Sequence, residues 1–147
     1  MTTLRRNQGG VMLLEAMIGI LIFSLGVLAL VAMQAVSISN VSNARFRSEA
    51  AFLANEILSQ AWVDRGTQNA NIGTYKWPGG NSTVQAWVTK VNTLLPQSDI
   101  YPPTITQSVI PGMTRGQQLT VTIQWKAPDA LTPSNHVAIG FVSDPAE

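Results

Sequence analysis

Gly9-Gly10-Val11-Met12-Leu13-Leu14-Glu15-Ala16-Met17-Ile18-Gly19-Ile20-Leu21-Ile22-Phe23-Ser24-Leu25-Gly26-Val27-Leu28-Ala29-Leu30-Val31-Ala32-Met33 decides what kind of chain this is. From Val11 to Met33, 19 of 23 residues are apolar, the exceptions being Glu15, Gly19, Ser24 and Gly26. As a helix this run is about 35 Å long at about 1.5 Å per residue, enough for a hydrocarbon core of about 30 Å. No charge occurs from Ala16 to Ala44. Arg5 and Arg6 precede the run, and the first 14 residues hold no acid. The positive-inside rule therefore predicts a single span with a cytoplasmic N-terminus and the remainder exported.

Other segments share parts of this pattern. A cleaved secretory signal has basic residues, an apolar core of about 7–15 residues and a small-residue cut site. This run is longer, and it carries a carboxylate, Glu15, near its start. Acids within spans are costly and usually functional. A plain membrane anchor explains neither Glu15 nor the Gly9-Gly10 pair. Arg5-Arg6 alone is a weak match to a twin-arginine signal.

Taken in order, Arg5-Arg6-Asn7-Gln8-Gly9-Gly10, then Val11-Met12-Leu13-Leu14-Glu15, then the apolar run, resemble the class III signal of type IV prepilins. That pattern is a short basic leader ending in Gly, four apolar residues, Glu, and about 20 apolar residues. The resemblance implies that prepilin peptidase cuts between Gly10 and Val11 and that Val11 is N-methylated. The family usually has Phe where this chain has Val11. Glu15 becomes the fifth residue of the mature chain, and in pilins that glutamate serves subunit assembly by complementing a neighbour's terminal amine. Gly26-Val27-Leu28-Ala29-Leu30 with Gln34, and Ala50-Ala51-Phe52-Leu53-Ala54-Asn55-Glu56-Ile57-Leu58, are similar to the PilV type of minor pilin, over roughly the first 65 residues. A Val121-Thr122-Ile123-Gln124-Trp125 strand near the C-terminus fits the same type. The implied function is initiation or modification of a type IV pilus. The implied partners are prepilin peptidase, other minor pilins, the major pilin, the inner-membrane assembly platform and a large tip adhesin. The implied places are the inner membrane and then the pilus. An I-type pseudopilin of type II secretion has a similar signal and helix and stays open as an alternative, as does a single-span periplasmic binding protein.

Residue pattern organises the rest. Segment 1–10 reads as leader, 11–36 as the apolar half of a long helix, 37–65 as its amphipathic half, and 66–147 as an α+β head. From Arg45 to Trp62 there is no Gly or Pro. Apolar residues recur at 46, 50, 53, 54, 57, 58 and 61, and polar ones at 45, 48, 49, 55, 56, 59 and 60, which is helical spacing. Ser37 to Asn43 is rich in Ser and Asn, poor formers of helix interiors. Gly66 is the expected stop. Ser82 is the expected cap of a short helix with Val84, Trp87, Val88, Val91, Leu94 and Leu95 on one face, ended by Pro96. Strands are predicted at 104–110, 118–126 and 136–142, with turns at 111–116 and 127–135. Leu119, Val121, Ile123 and Trp125 alternate on the second; Val137, Ile139 and Phe141 alternate on the third. Three such strands need cover for their apolar face, and the amphipathic helix supplies it. The result is a pilin-like α+β fold, a long N-terminal helix on a small antiparallel sheet.

Composition excludes several chemistries. Cysteine is absent and histidine occurs once, so disulfides, thiolate metal sites and most histidine metal sites are ruled out. No nucleophile elbow, P-loop, zinc-protease or dinucleotide motif occurs. Asp99, Asp129 and Asp144 are isolated, His136 reads as a surface or satisfied residue, and no cofactor is expected. From Arg45 onward 7 basic and 7 acidic residues balance, so no nucleic-acid partner is expected. Trp62, Trp87 and Trp125 read as core, while Trp77 either anchors its Gly-rich loop or meets a partner. Candidate subunit contacts are the small residues Ala16, Gly19, Gly26 and Ala29 on one helix face, and Phe52 in the polar stripe.

Overall fold

The computed structural model of the chain describes residues 9–112, 116–128 and 130–143. Arg5 to Gln8 of the leader, Met113 to Arg115 of the first turn, Asp129 and Asp144 lie outside the described residues. Helix α1 runs Gly9–Val63 and α2 Ser82–Leu94; strands β1, β2 and β3 run Thr104–Val109, Gln117–Trp125 and Ser134–Val142. Two single 3-10 turns, Thr67–Asn69 and Ile72–Thr74, follow α1. The chain divides into two compact units, Met1–Val41 and Ser42–Glu147, so the break falls inside the Ser/Asn-rich stretch. That stretch is helical throughout.

In the first unit, side chains from Gly10 to Ile38 are all exposed. This helix is long and apolar enough to cross a membrane. The Ser24 hydroxyl donates to the Ile20 carbonyl at 2.7 Å, so its polarity is satisfied within the helix.

The second unit is an α+β layer pair. Ala50, Leu53, Ala54, Ile57, Leu58 and Ala61 are buried, at steps of three and one that keep them on one helix stripe. They form one cluster with Ile105 of β1, Leu119, Val121, Ile123 and Trp125 of β2, and Val142 of β3. Each large side chain so buried stabilises the fold by about 1.5–3 kcal/mol. Helix α2 adds Val84, Trp87, Val88 and Val91 to the cluster. The Trp87 indole N–H donates to the Leu53 carbonyl at 2.8 Å and joins the two helices. The sheet is an antiparallel meander, β1-β2-β3, in which Leu119 faces Gly140 and Val121 faces both Ile105 and Ala138.

The third strand departs from the alternation reading. Val137, Ile139 and Phe141 stand on the solvent side, half exposed, and the inward residues are Ser134, His136, Ala138, Gly140 and Val142. The cause is proximity to α1: a Cβ on Gly140 would lie 2.7 Å from Cδ2 of Leu58. Where Leu58 fills the space over position 140, the inward residue there must be glycine.

Smaller departures have equally local causes. The cap of α2 is Asn81, whose Oδ1 accepts from the Val84 N–H at 2.9 Å, so Ser82 is the first helical residue. Leu94 is exposed at the end of α2, while Leu95 is buried. Trp62 is not core: it is 40% exposed, with the Arg65 guanidinium 5.0 Å from its ring centre. Helix α1 ends at Val63, and Gly66 lies beyond it in the left-handed region at φ 69°. Strand β2 begins one residue earlier than its alternation implied, and β3 two residues earlier.

Replacing Gly140 by Val forces Leu58 off its seat, and the head should lose about 1–3 kcal/mol. Ile139→Thr, on the solvent side, should cost under about 1 kcal/mol. All four tryptophans lie after Arg45, so denaturation followed by their fluorescence reads this unit alone in the full chain.

Candidate functional site

Two sets of residues bear on function, one in each unit. In the first, Val11 and Glu15 are four residues apart in α1 and so stand one turn apart on the same face. At 3.6 residues per turn, Glu15 falls within the arc covered by Ala16, Gly19, Gly26 and Ala29. Nothing lies within 4 Å of where a Cβ on Gly10, Gly19 or Gly26 would be. Glu15 is exposed and makes no hydrogen bond or ion pair among the described residues. The unit therefore presents a bare apolar helix with one carboxylate and a strip of small residues on a common face.

In the second unit, Phe52 is 60% exposed, on the polar side of α1 as its spacing implied. It is not bare. The Lys90 ammonium of α2 lies 5.6 Å from its ring centre, and both Glu56 oxygens hold that ammonium at 2.8 Å. This exposed pair contributes at most about 1 kcal/mol, but it fixes the cation over the ring. The sequence holds no signal for it, because Lys90 and Glu56 are 34 residues apart.

The end of α1 carries a polar network that the sequence also conceals. A cavity of about 460 Å³ is lined by Val63, Asp64, Gly66, Asn71, Thr74, Tyr75 and Asn81. The buried Tyr75 hydroxyl donates to Oδ2 of Asp64. Asn71 Nδ2 donates to the Asp64 carbonyl at 3.0 Å, and Asn81 Nδ2 to the Thr74 hydroxyl at 3.0 Å. Gln107 Nε2 donates to the carbonyls of Ile72 and Tyr75 at 2.6 and 2.8 Å, pinning the loop to β1. Trp77 pairs with Ile105 through two backbone hydrogen bonds and is half-buried against the core, which makes it a loop anchor. Burial, and then the Asp64 carboxylate beside it, push the Tyr75 phenol from 10.0 up to about 12. His136 lies on the inner face of β3 opposite Ile123, and among the described residues no group of three or more His, Asp or Glu could hold a metal.

No family model, curated protein or solved structure matches this chain.

The raised phenol has a defined linkage. Below pH 10 Tyr75 is neutral folded and unfolded, and its contribution is complete. Between pH 10 and about 12 the unfolded chain ionises first, so stability falls across that window. Tyr75→Phe should remove this alkaline loss and cost about 1–2 kcal/mol at neutral pH, because the Asp64 carboxylate loses a buried donor. Urea titrations at pH 7 and pH 11 check both. Phe52→Ser should cost under about 1 kcal/mol, the size of an exposed cation–π contact.

Proposed function

We propose that this chain is a non-enzymatic minor pilin of the PilV type. In this reading prepilin peptidase removes residues 1–10 and Val11 is N-methylated. The mature chain sits in the inner membrane by α1 with its head in the periplasm, and it then enters a type IV pilus to start or modify the fibre. Its partners are other minor pilins, the major pilin, the assembly platform and a large tip adhesin.

One observation carries the reading. Val11 and Glu15 share a face of a helix that is otherwise apolar and uncovered all round. A carboxylate within a span costs about 2.5–3.5 kcal/mol at the bilayer centre and less near the end, where Glu15 stands. An ordinary anchor gains nothing for that cost. Cleavage after Gly10 places an ammonium on Val11, one turn from Glu15 and on the same face. Side by side, each subunit then brings one ammonium and one carboxylate to a water-poor contact, where leaving either unpaired is expensive. A neighbour's ammonium beside Glu15 meets both needs. The small residues Gly19 and Gly26 on that face let helices approach closely. The α+β head on the amphipathic half of α1 is the arrangement that a pilin requires.

Gly10 replaced by a bulky or charged residue should leave uncut precursor in the membrane, seen as an intact N-terminal mass; normal mature length would defeat the reading. Glu15→Val should still insert and be cleaved, yet lose most co-purification with other pilins. Unchanged co-purification would remove Glu15 from assembly.

A further inference from the structure

The cavity at the end of α1 holds a negative charge that the chain itself leaves without a cation. The last turn of α1 has no basic residue, so the negative pole at its carbonyl end is uncompensated. Asp64, the next residue, adds a carboxylate at that same pole, and among the described residues no ion pair reaches it. Arg65 is near in sequence but is turned away, with its guanidinium 5.0 Å from the Trp62 ring centre. An acid at this end of a helix is unfavourable unless a cation stands beside it. Burial, and then the Asp64 charge, raise the Tyr75 phenol to about 12, as a carboxylate without a counter-ion does to a neighbouring acid.

Hydrogen bonding leaves the same cavity rich in acceptors. The Tyr75 and Thr74 hydroxyls and the Nδ2 groups of Asn71 and Asn81 all donate to groups of the chain itself. Oδ1 of Asp64 and Oδ1 of Asn71 accept nothing among the described residues. We propose that this cavity binds a primary alkylammonium group, with its charge set against Oδ1 of Asp64 and Oδ1 of Asn71 and its alkyl stem along Val63.

The donor set selects among cations. A guanidinium fork matches both oxygens of a carboxylate, and here Oδ2 is already taken by Tyr75. A calcium ion takes 6–8 oxygen ligands, and no group of three or more His, Asp or Glu stands here among the described residues. A quaternary ammonium needs an open aromatic face, and the Tyr75 ring is fully buried. A primary ammonium carries three separate donors that bond to single acceptors. The cavity, about 460 Å³, lies within the about 300–1,000 Å³ of ordinary ligand pockets and has room for a stem as well as a charge. Val63, 82% exposed at its rim, gives that stem apolar surface to lie on. A free amine and a lysine side chain of another protein present the same group.

The full-length chain in detergent, at neutral pH and fixed ionic strength, is titrated with n-butylammonium chloride. The readout is the NMR signals of the Asn71 and Asn81 side-chain amides. Both should shift saturably, with half-saturation at about 1–10 mM. n-Butanol, of the same shape without the charge, should be at least tenfold weaker. Asp64→Asn keeps an oxygen for the Tyr75 hydroxyl and should weaken n-butylammonium at least tenfold. Val63→Lys, at an exposed position that tolerates a polar side chain, supplies an ammonium from the chain itself and should abolish the response. It decides the matter if Asp64→Asn fails to fold, which tryptophan fluorescence reports. A lysine peptide, acetyl-Gly-Lys-Gly-amide, separates the sources. Tenfold tighter binding than n-butylammonium assigns the site to a protein's lysine, equal binding assigns it to any primary amine, and both support it. No saturable shift, an equal response to n-butanol, or unchanged binding in folded Asp64→Asn would each overturn the proposal. So would calcium chloride moving the same signals at a lower concentration than the amine, which would make a metal ion the occupant.

Discussion

Neither half of the head can exist without the other. A three-stranded sheet with one apolar face is unstable alone in water, and an amphipathic helix draws most of its stability from covering its apolar stripe. Ala50, Leu53, Ala54, Ile57, Leu58 and Ala61 on one side, and Leu119, Val121, Ile123 and Trp125 on the other, answer both needs in one contact. The seat of Leu58 in this contact in turn dictates Gly140 beneath it. The clip from Trp87 to Leu53 and the seating of Trp125 depend on the same contact.

The first unit poses the opposite problem. Its helix is apolar on every side and exposed from Gly10 to Ile38, so its surroundings must supply the cover. Lipid supplies it for apolar side chains and does not for Glu15. In the pilin reading, a membrane and then a bundle of like helices supply the apolar medium and the positive partner that Glu15 calls for. The pilin proposal draws on that pair of requirements, and the head adds features at Phe52 and at the end of α1 that differ in charge. Phe52 carries a fixed cation over its ring, whereas the cavity beyond α1 holds the Asp64 carboxylate.

Much of this architecture was legible in the chain itself. The long apolar helix, the amphipathic stripe from 46 to 61 and the strand at 118–126 follow from spacing alone, because each is a repeat with a single physical cause. Phe52 was placed on the exposed side by the same arithmetic. What spacing does not contain is distance between remote residues. Period two on β3 shows that one set of alternate residues points inward without saying which, and tertiary structure put Gly140 inward because Leu58 of α1 already fills the space above it. The Asn81 cap depended on where the chain turned after the Thr74 loop, and the Tyr75–Asp64 bond on where α1 ended. Periodicity is a property of one element, and these outcomes belong to pairs of elements meeting in space.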